Sequence, residues 1–209
     1  MKVEVYRDFA CAWCRLGTRR FEAAVQAAGG EPVELVHRPY QLNPDAPEGE
    51  SHPLMQVMAA MFGPERAGSM FDNVVRLGAA EGVEYHFDRA IATSTLTAHR
   101  LMWLAERDAD AEARSRLADA VYDAYFRDGR DIGDHETLAS LAEDAGLDGV
   151  AVRAFLASGD GTAEVRDQAA TARKEGITTV PTYVFPGGET LTGAASTEEL
   201  TAALERARS

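Results

Sequence analysis

Cys11 and Cys14 are the only cysteines among 209 residues, and just Ala12 and Trp13 stand between them. Their spacing of three residues is about one helical turn. An apolar, strand-like start (Val3, Glu4, Val5, Tyr6) precedes them and a helix-like run over 16–28 follows. This layout suits a dithiol redox site. At the junction of strand and helix, free backbone N–H groups and the helix dipole favour a thiolate on Cys11. A thiolate attacks disulfides, and Cys14 stands where it can close the ring. Three other readings compete. A structural disulfide this short closes almost no loop and stabilises little. Half of a zinc site needs about four ligands in all, and His37, His52, His86, His99 and His135 show no paired ligand spacing. Two inert buried thiols are the third reading, since free cysteine is often buried.

The elements that must position the pair are legible around it. Residues 1–45 read as strand, helix, strand: Gly29-Gly30 ends the helix, and 31–40 alternates, with Val33, Leu35 and His37 on one face. The last fifty residues read as helix (163–175), strand (182–185), a Pro186-Gly187-Gly188 turn, a strand over 190–192 and a helix to about Arg208. Ser196 followed by Glu199 makes a capping box for that last helix. Between these halves the chain is helical: Leu54–Phe62, a helix opened by Pro64 and running to about Gly82, another over 89–107, and a fourth in which Leu117, Val121 and Tyr125 share a face. Asp134 and Asp148 sit where N-caps belong, and Gly146 where a C′ glycine belongs. Neither half has enough strands for a sheet alone. The expected organisation is therefore an α/β domain built from 1–50 plus 160–209, split by an inserted all-helical domain over 51–159.

Val180-Pro181-Thr182 is the second informative segment. A proline at a strand entry cannot donate to the ladder there, and most such prolines are ordinary trans entries. A charged fraction of 26 % and a hydrophobic fraction of 45 % fit a soluble globular protein. A formal net charge of −13 argues against a nucleic-acid partner. No apolar run approaches a membrane span of roughly 18 residues, and no apolar stretch precedes Cys11 as in a secretory signal. The sequence therefore reads as cytoplasmic, where a disulfide is more often catalytic than structural.

These segments together resemble the DsbA-like thioredoxin family, and within it the FrnE-like branch of dithiol oxidoreductases. The resemblance rests on Asp8-Phe9-Ala10-Cys11-Ala12-Trp13-Cys14 with Gly17 and Arg19-Arg20-Phe21, and on Arg38-Pro39-Tyr40-Gln41-Leu42-Asn43-Pro44. It extends through 95–101, Ala124-Tyr125-Phe126, Gly129-Arg130-Asp131-Ile132, Gly176-Ile177 and Val180-Pro181-Thr182. It implies a thioredoxin fold with a large helical insertion, often dimeric. It also implies thiol–disulfide exchange with Cys11 attacking and Cys14 resolving, and a cis Pro181 packed beside Cys11 so that Val180 can pair with substrate. Ala12, Trp13, Val180, Thr182 and His99 are the candidate substrate contacts. No metal or organic cofactor is implied; glutathione is a candidate co-substrate, and the partner is a thiol or disulfide protein or a small thiol. The branch usually has proline where Ala12 stands and often glycine where Thr179 stands. Strongly oxidising members carry histidine where Trp13 stands. Trp13 cannot stabilise the Cys11 thiolate as a cation would; Arg7 and Arg15 could help, and Asp8 would oppose.

Two rival functions remain. Glutathione-dependent isomerases and kappa-type transferases, such as 2-hydroxychromene-2-carboxylate isomerase, share this fold but usually have serine at the position of Cys11 and lack the second cysteine. A non-enzymatic partner-binding or biosynthetic accessory protein would need no reactive thiol. Other singled-out residues have plainer readings. His99 either touches substrate or is a satisfied core or interface histidine, and its apolar helix favours the second. His37 reads as buried. Met55, Met58 and Met61 read as core at helical spacing, and 108–110 and 128–134 as caps and turns, since they lack the calcium-loop ligand series.

Overall fold

The computed structural model describes residues 1–208. β1 (Lys2–Arg7) is the spine, with Val3 and Val5 fully buried and Glu4 and Tyr6 half-buried on its other face. It pairs in parallel with β2 (Glu34–Pro39) and antiparallel with β5 (Thr182–Val184), which pairs antiparallel with β6 (Thr190–Thr192). The sheet order is β2-β1-β5-β6, so each end of the chain supplies two strands. The parallel step needs a crossover, and α1 (Ala12–Ala28) provides it. α10 (Thr197–Arg208) packs beside α1, and together they cover one face of the sheet. Val3, Val5, Phe21, Ala24, Tyr183, Phe185, Leu200 and Leu204 fill that layer. Each large side chain so buried contributes about 1.5–3 kcal/mol. The capping box of α10 is reciprocal: Ser196 N–H donates to Glu199 Oε2 at 2.8 Å, and Glu199 N–H donates to Ser196 Oγ at 3.2 Å.

α1 starts four residues before the expected position 16, directly behind the first cysteine. Cys11 is the N-cap, and its carbonyl accepts from the N–H groups of Cys14 (3.0 Å) and Arg15 (3.2 Å). The rest of the chain is helical: α2 (Leu54–Phe62), α3 (Pro64–Ser69), α4 (Asp72–Ala80), α5 (Leu96–Asp108), α6 (Ala111–Phe126), α7 (His135–Asp144), α8 (Gly149–Ser158) and α9 (Thr162–Lys174). Two expectations are corrected here. The helix opened by Pro64 breaks at Met70-Phe71, where the Ser69 hydroxyl turns back onto the Glu65 and Arg66 carbonyls. The helix expected from 89 begins only at Leu96, because Ile91–Ala92 (β4) is drawn into a short antiparallel pair with His52–Pro53 (β3). Asp110, Asp134 and Asp148 each cap a helix through the side chain.

The larger core is shared between the two parts of the chain. Phe9, Cys14, Leu16 and Tyr40 join Leu101, Leu117, Tyr122, Phe126, Leu138 and Leu156 in one cluster. Among the described residues no helix is long and apolar enough to cross a membrane.

Candidate active site

β1 ends at Arg7, the chain turns through Asp8–Ala10, and α1 begins. The Cys11 N–H donates to the Asp8 carbonyl at 3.2 Å, which fixes the turn. Cys11 and Cys14 lie 3.2 Å apart as free thiols. Cys11 is 7 % exposed and Cys14 is fully buried. Burial pushes the Cys14 thiol well up, Cys11 beside it and the Asp8 charge push the same way, and a backbone hydrogen bond from Asp8 opposes them.

β5 brings the other side. The Val180–Pro181 peptide bond is cis, and the Cys11 thiol lies 3.8 Å from the Val180 carbonyl oxygen. Pro181 and Tyr183 close on α1 at Gly17, where there is no room for a side chain. The Tyr183 hydroxyl is buried there with no hydrogen-bond partner, while its ring stacks on Phe21 at 5.5 Å.

The candidate contacts divide. Cys11, Cys14, Val180 and Pro181 are brought together, and Trp13 beside them is 38 % exposed, an apolar ring at the mouth of the site. The other three are turned inward. Ala12 is buried and its carbonyl accepts from the Tyr85 hydroxyl at 2.7 Å. Thr182 is buried and its hydroxyl donates to the Thr179 carbonyl at 2.6 Å, holding the loop before the strand. His99 is fully buried, with Nε2 3.2 Å from Asp8 Oδ1 and Nδ1 3.0 Å from His37 Nε2. It is a satisfied interior histidine and does not face the cleft.

The two arginines expected to help the Cys11 thiolate are engaged elsewhere. Arg15 pairs with Asp119 and, at 2.7 Å, with Asp123 on α6. Arg7 is buried and donates to His37 Nδ1 (3.1 Å) and Thr18 Oγ1 (3.2 Å); Thr18 in turn donates to the Cys14 carbonyl at 3.0 Å. Sequence reasoning missed this polar interior. The only local signal was a charged pair, Arg7-Asp8, set between a buried strand and Phe9; that residues 37 and 99 meet there has no trace in spacing. Among the described residues, no group of three or more His, Cys, Asp and Glu side chains is gathered as a metal site would require.

Comparison with known proteins matches residues 2–205 to the DSBA-like thioredoxin domain. A probable DsbA oxidoreductase, SCO1869 from Streptomyces coelicolor, superposes with a TM-score of 0.87 at 36 % identity, over 100 % of this chain and 90 % of that one. Two more distant structures share the fold at TM-scores of 0.66. One is the cytosolic disulfide reductase DsbM from Pseudomonas aeruginosa with GSH, 16 % identical over 99 % of this chain and 98 % of its own. The other is a 2-hydroxychromene-2-carboxylate isomerase, 19 % identical over 99 % and 95 %.

Proposed function

The chain belongs to the DsbA-like thioredoxin family, and from that premise we propose that it is a thiol–disulfide oxidoreductase of the FrnE-like kind, with Cys11 attacking and Cys14 resolving. The carrying observation is the unequal pair: two free thiols 3.2 Å apart, one at the helix N-cap beside the Val180 carbonyl, the other sealed behind it. Cys11 attacks a substrate disulfide and forms a mixed disulfide. Cys14 attacks Cys11, closes the internal disulfide and releases the second substrate thiol. The Val180 carbonyl and the Trp13 ring are the groups placed to receive the segment that carries the substrate sulfur. The reaction needs no cofactor beyond the two sulfurs. A protein dithiol or glutathione serves to reset them, the second suggested by the GSH in the DsbM structure. We place this exchange in the cytoplasm, as for that cytosolic neighbour.

The test is selective alkylation and substitution. Near neutral pH, iodoacetamide should modify Cys11 before Cys14, and Cys11→Ser should abolish disulfide reduction while Cys14→Ser accumulates mixed disulfide. Faster reaction at Cys14 would reverse the roles. The isomerase relative keeps a second reading in view, a glutathione-dependent isomerisation. It predicts that Cys14→Ser retains full activity toward a glutathione-activated substrate, and the presence of both thiols speaks against it.

A further inference from the structure

Phenols from the helical part of the chain grip the active-site turn on both sides of Cys11. Tyr122 on α6 is fully buried and donates to the Asp8 carbonyl at 3.3 Å, the same oxygen that takes the Cys11 N–H at 3.2 Å. Tyr85, in the segment between α4 and β4, is 8 % exposed and donates to the Ala12 carbonyl at 2.7 Å. The two grips are not equivalent. Asp8 lies before the thiol pair and has further holds: its carboxylate accepts from Leu42 N–H at 2.7 Å and lies 3.2 Å from His99 Nε2. Ala12 lies between the cysteines, inside the ring that a Cys11–Cys14 disulfide closes. Among the described residues, Tyr85 is the one side chain from outside α1 that hydrogen-bonds to the backbone of 11–14.

The Tyr85 hydroxyl is a fixed point. Its ring stacks on Phe87 at 5.5 Å between centroids and 4° between planes, and Phe87 stacks on Phe71 at 3.9 Å and 9°. Phe126 stands edge-on to both Tyr85 and Phe87. Behind the ring lies Gly78 of α4, where a Cβ would run into Tyr85. Burial pushes the phenol up and the Cys11 and Cys14 charges add to it, while Arg15 and a backbone hydrogen bond from Leu16 oppose. The hydroxyl therefore keeps its proton and serves as a donor.

Resting on the exchange reaction above, we infer that Tyr85 is a positioning residue for ring closure. Its hydroxyl holds the Ala12 carbonyl, so Cys14 meets the mixed disulfide on Cys11 within a turn that is already set. In that step the Cys14 sulfur bonds to the Cys11 sulfur, and the bond from Cys11 to the substrate sulfur breaks. The electron pair leaves on the substrate sulfur, which takes up the proton that Cys14 gives up. With glutathione disulfide as the substrate, the dithiol is oxidised by two electrons and the glutathione disulfide is reduced by two. Closing the ring removes backbone freedom, and an anchored turn has less of it to lose. The helical part of the chain supplies no sulfur, yet through this phenol it sets how readily the pair closes. The coupling is reciprocal: a hydrogen bond that favours the disulfide is itself favoured by the disulfide.

The test is the equilibrium of the purified protein with mixtures of reduced and oxidised glutathione, read by counting the protein's own free thiols after an acid quench. Tyr85→Phe keeps the ring and removes the hydroxyl. It should shift the equilibrium toward the dithiol by about 2- to 10-fold, the scale of one hydrogen bond, and raise the share trapped as glutathione mixed disulfide on Cys11. Tyr122→Phe removes the matching hydroxyl outside the ring and should leave this equilibrium unmoved. No shift in Tyr85→Phe, or an equal shift in Tyr122→Phe, would overturn the inference. Urea unfolding of both redox forms is a second readout. Tyr85→Phe should cost the disulfide form more stability than the dithiol form; equal losses would make the hydroxyl a structural prop and overturn the coupling. Both measurements use the protein's own thiol pair and need no turnover. A wild-type chain that reduces no substrate disulfide would therefore sink the exchange reading and leave the coupling to stand or fall on these two results.

Discussion

A Cβ built on Gly17 would stand 2.6 Å from the Tyr183 hydroxyl oxygen and 2.9 Å from Pro181 Cγ. Glycine is required here by the close approach of β5 to α1. Gly17→Ala should destabilise the fold by about 1–3 kcal/mol, the usual cost of overpacking, and should slow exchange by moving Pro181 from Cys11. Tyr183→Phe alone should be neutral or stabilising, since it removes a buried hydroxyl that has no partner. It should also rescue part of the Gly17→Ala loss, because one of the two clashes goes with the hydroxyl. Urea denaturation of the two single variants and the double variant measures that coupling; strict additivity would refute it. At the same scale, Arg7 and Arg15 are held by buried or acidic partners, which leaves Trp13 between the cysteines with no cation to aid it. The Cys11–Cys14 couple should therefore lie nearer about −270 mV than about −120 mV, and Trp13→His should raise it. Equilibration against glutathione checks both. The thiol pair, Gly17 and Pro181 could be read from local sequence, because each lies in a segment with its own spacing. The inward turn of Ala12, Thr182 and His99 could not, since it depends on partners tens of residues away.

Between elements, α1 and α6 are clamped by a charged cluster. Arg15 bridges to Asp119 and Asp123, and Glu22, one face along α1, is raised to about 7. Burial is the main cause, the Asp119 charge and a hydrogen bond to Asp119 add to it, and Arg15 and Arg19 oppose. The folded protein thus binds this proton more tightly than the unfolded chain, whose carboxyl titrates near 4.5. The sign follows from linkage: the stabilisation is fully present below about 4.5 and is lost as pH rises through about 7. Glu22→Gln keeps a donor for Asp119 and carries no charge. Its melting temperature should match the wild type near pH 4 and exceed it near pH 8; a variant that melts lower at pH 8 would contradict this. Most elements were legible because their signals are local: the capping box of α10, the aspartate caps of α7 and α8, the Pro186-Gly187-Gly188 turn. The misjudged ones were set by neighbours. The β3–β4 pairing delays α5 to Leu96, and nothing near residue 89 announces it.

At the scale of the whole molecule, the sheet layer and the helical layer do not have separate interiors. Phe9, Cys14 and Leu16 from the start of the chain lie in one apolar cluster with Leu117, Tyr122 and Leu138. Removing 51–159 and joining the flanks would expose the underside of α1 and take His99 and Tyr122 away from Phe9. The excised chain should show no cooperative unfolding transition, while the full chain should show one shared by far- and near-ultraviolet circular dichroism. A cooperative melt of the excised chain would show that the sheet layer folds alone. That the two ends of the chain supply one sheet was readable from strand counting, but the shared interior was not, because an apolar helix face does not reveal which neighbour it covers.

The pairing of Cys11 with the Val180 carbonyl spans 169 residues, and this has a consequence during synthesis. At about 5–20 residues per second, a ribosome takes roughly 8–34 s to pass from one to the other. Throughout that interval the nascent chain carries both thiols without the strand that faces them. The reactive pair emerges well before the strand that completes it, so the growing polypeptide is itself open to oxidation or capture by small thiols before its own chemistry exists.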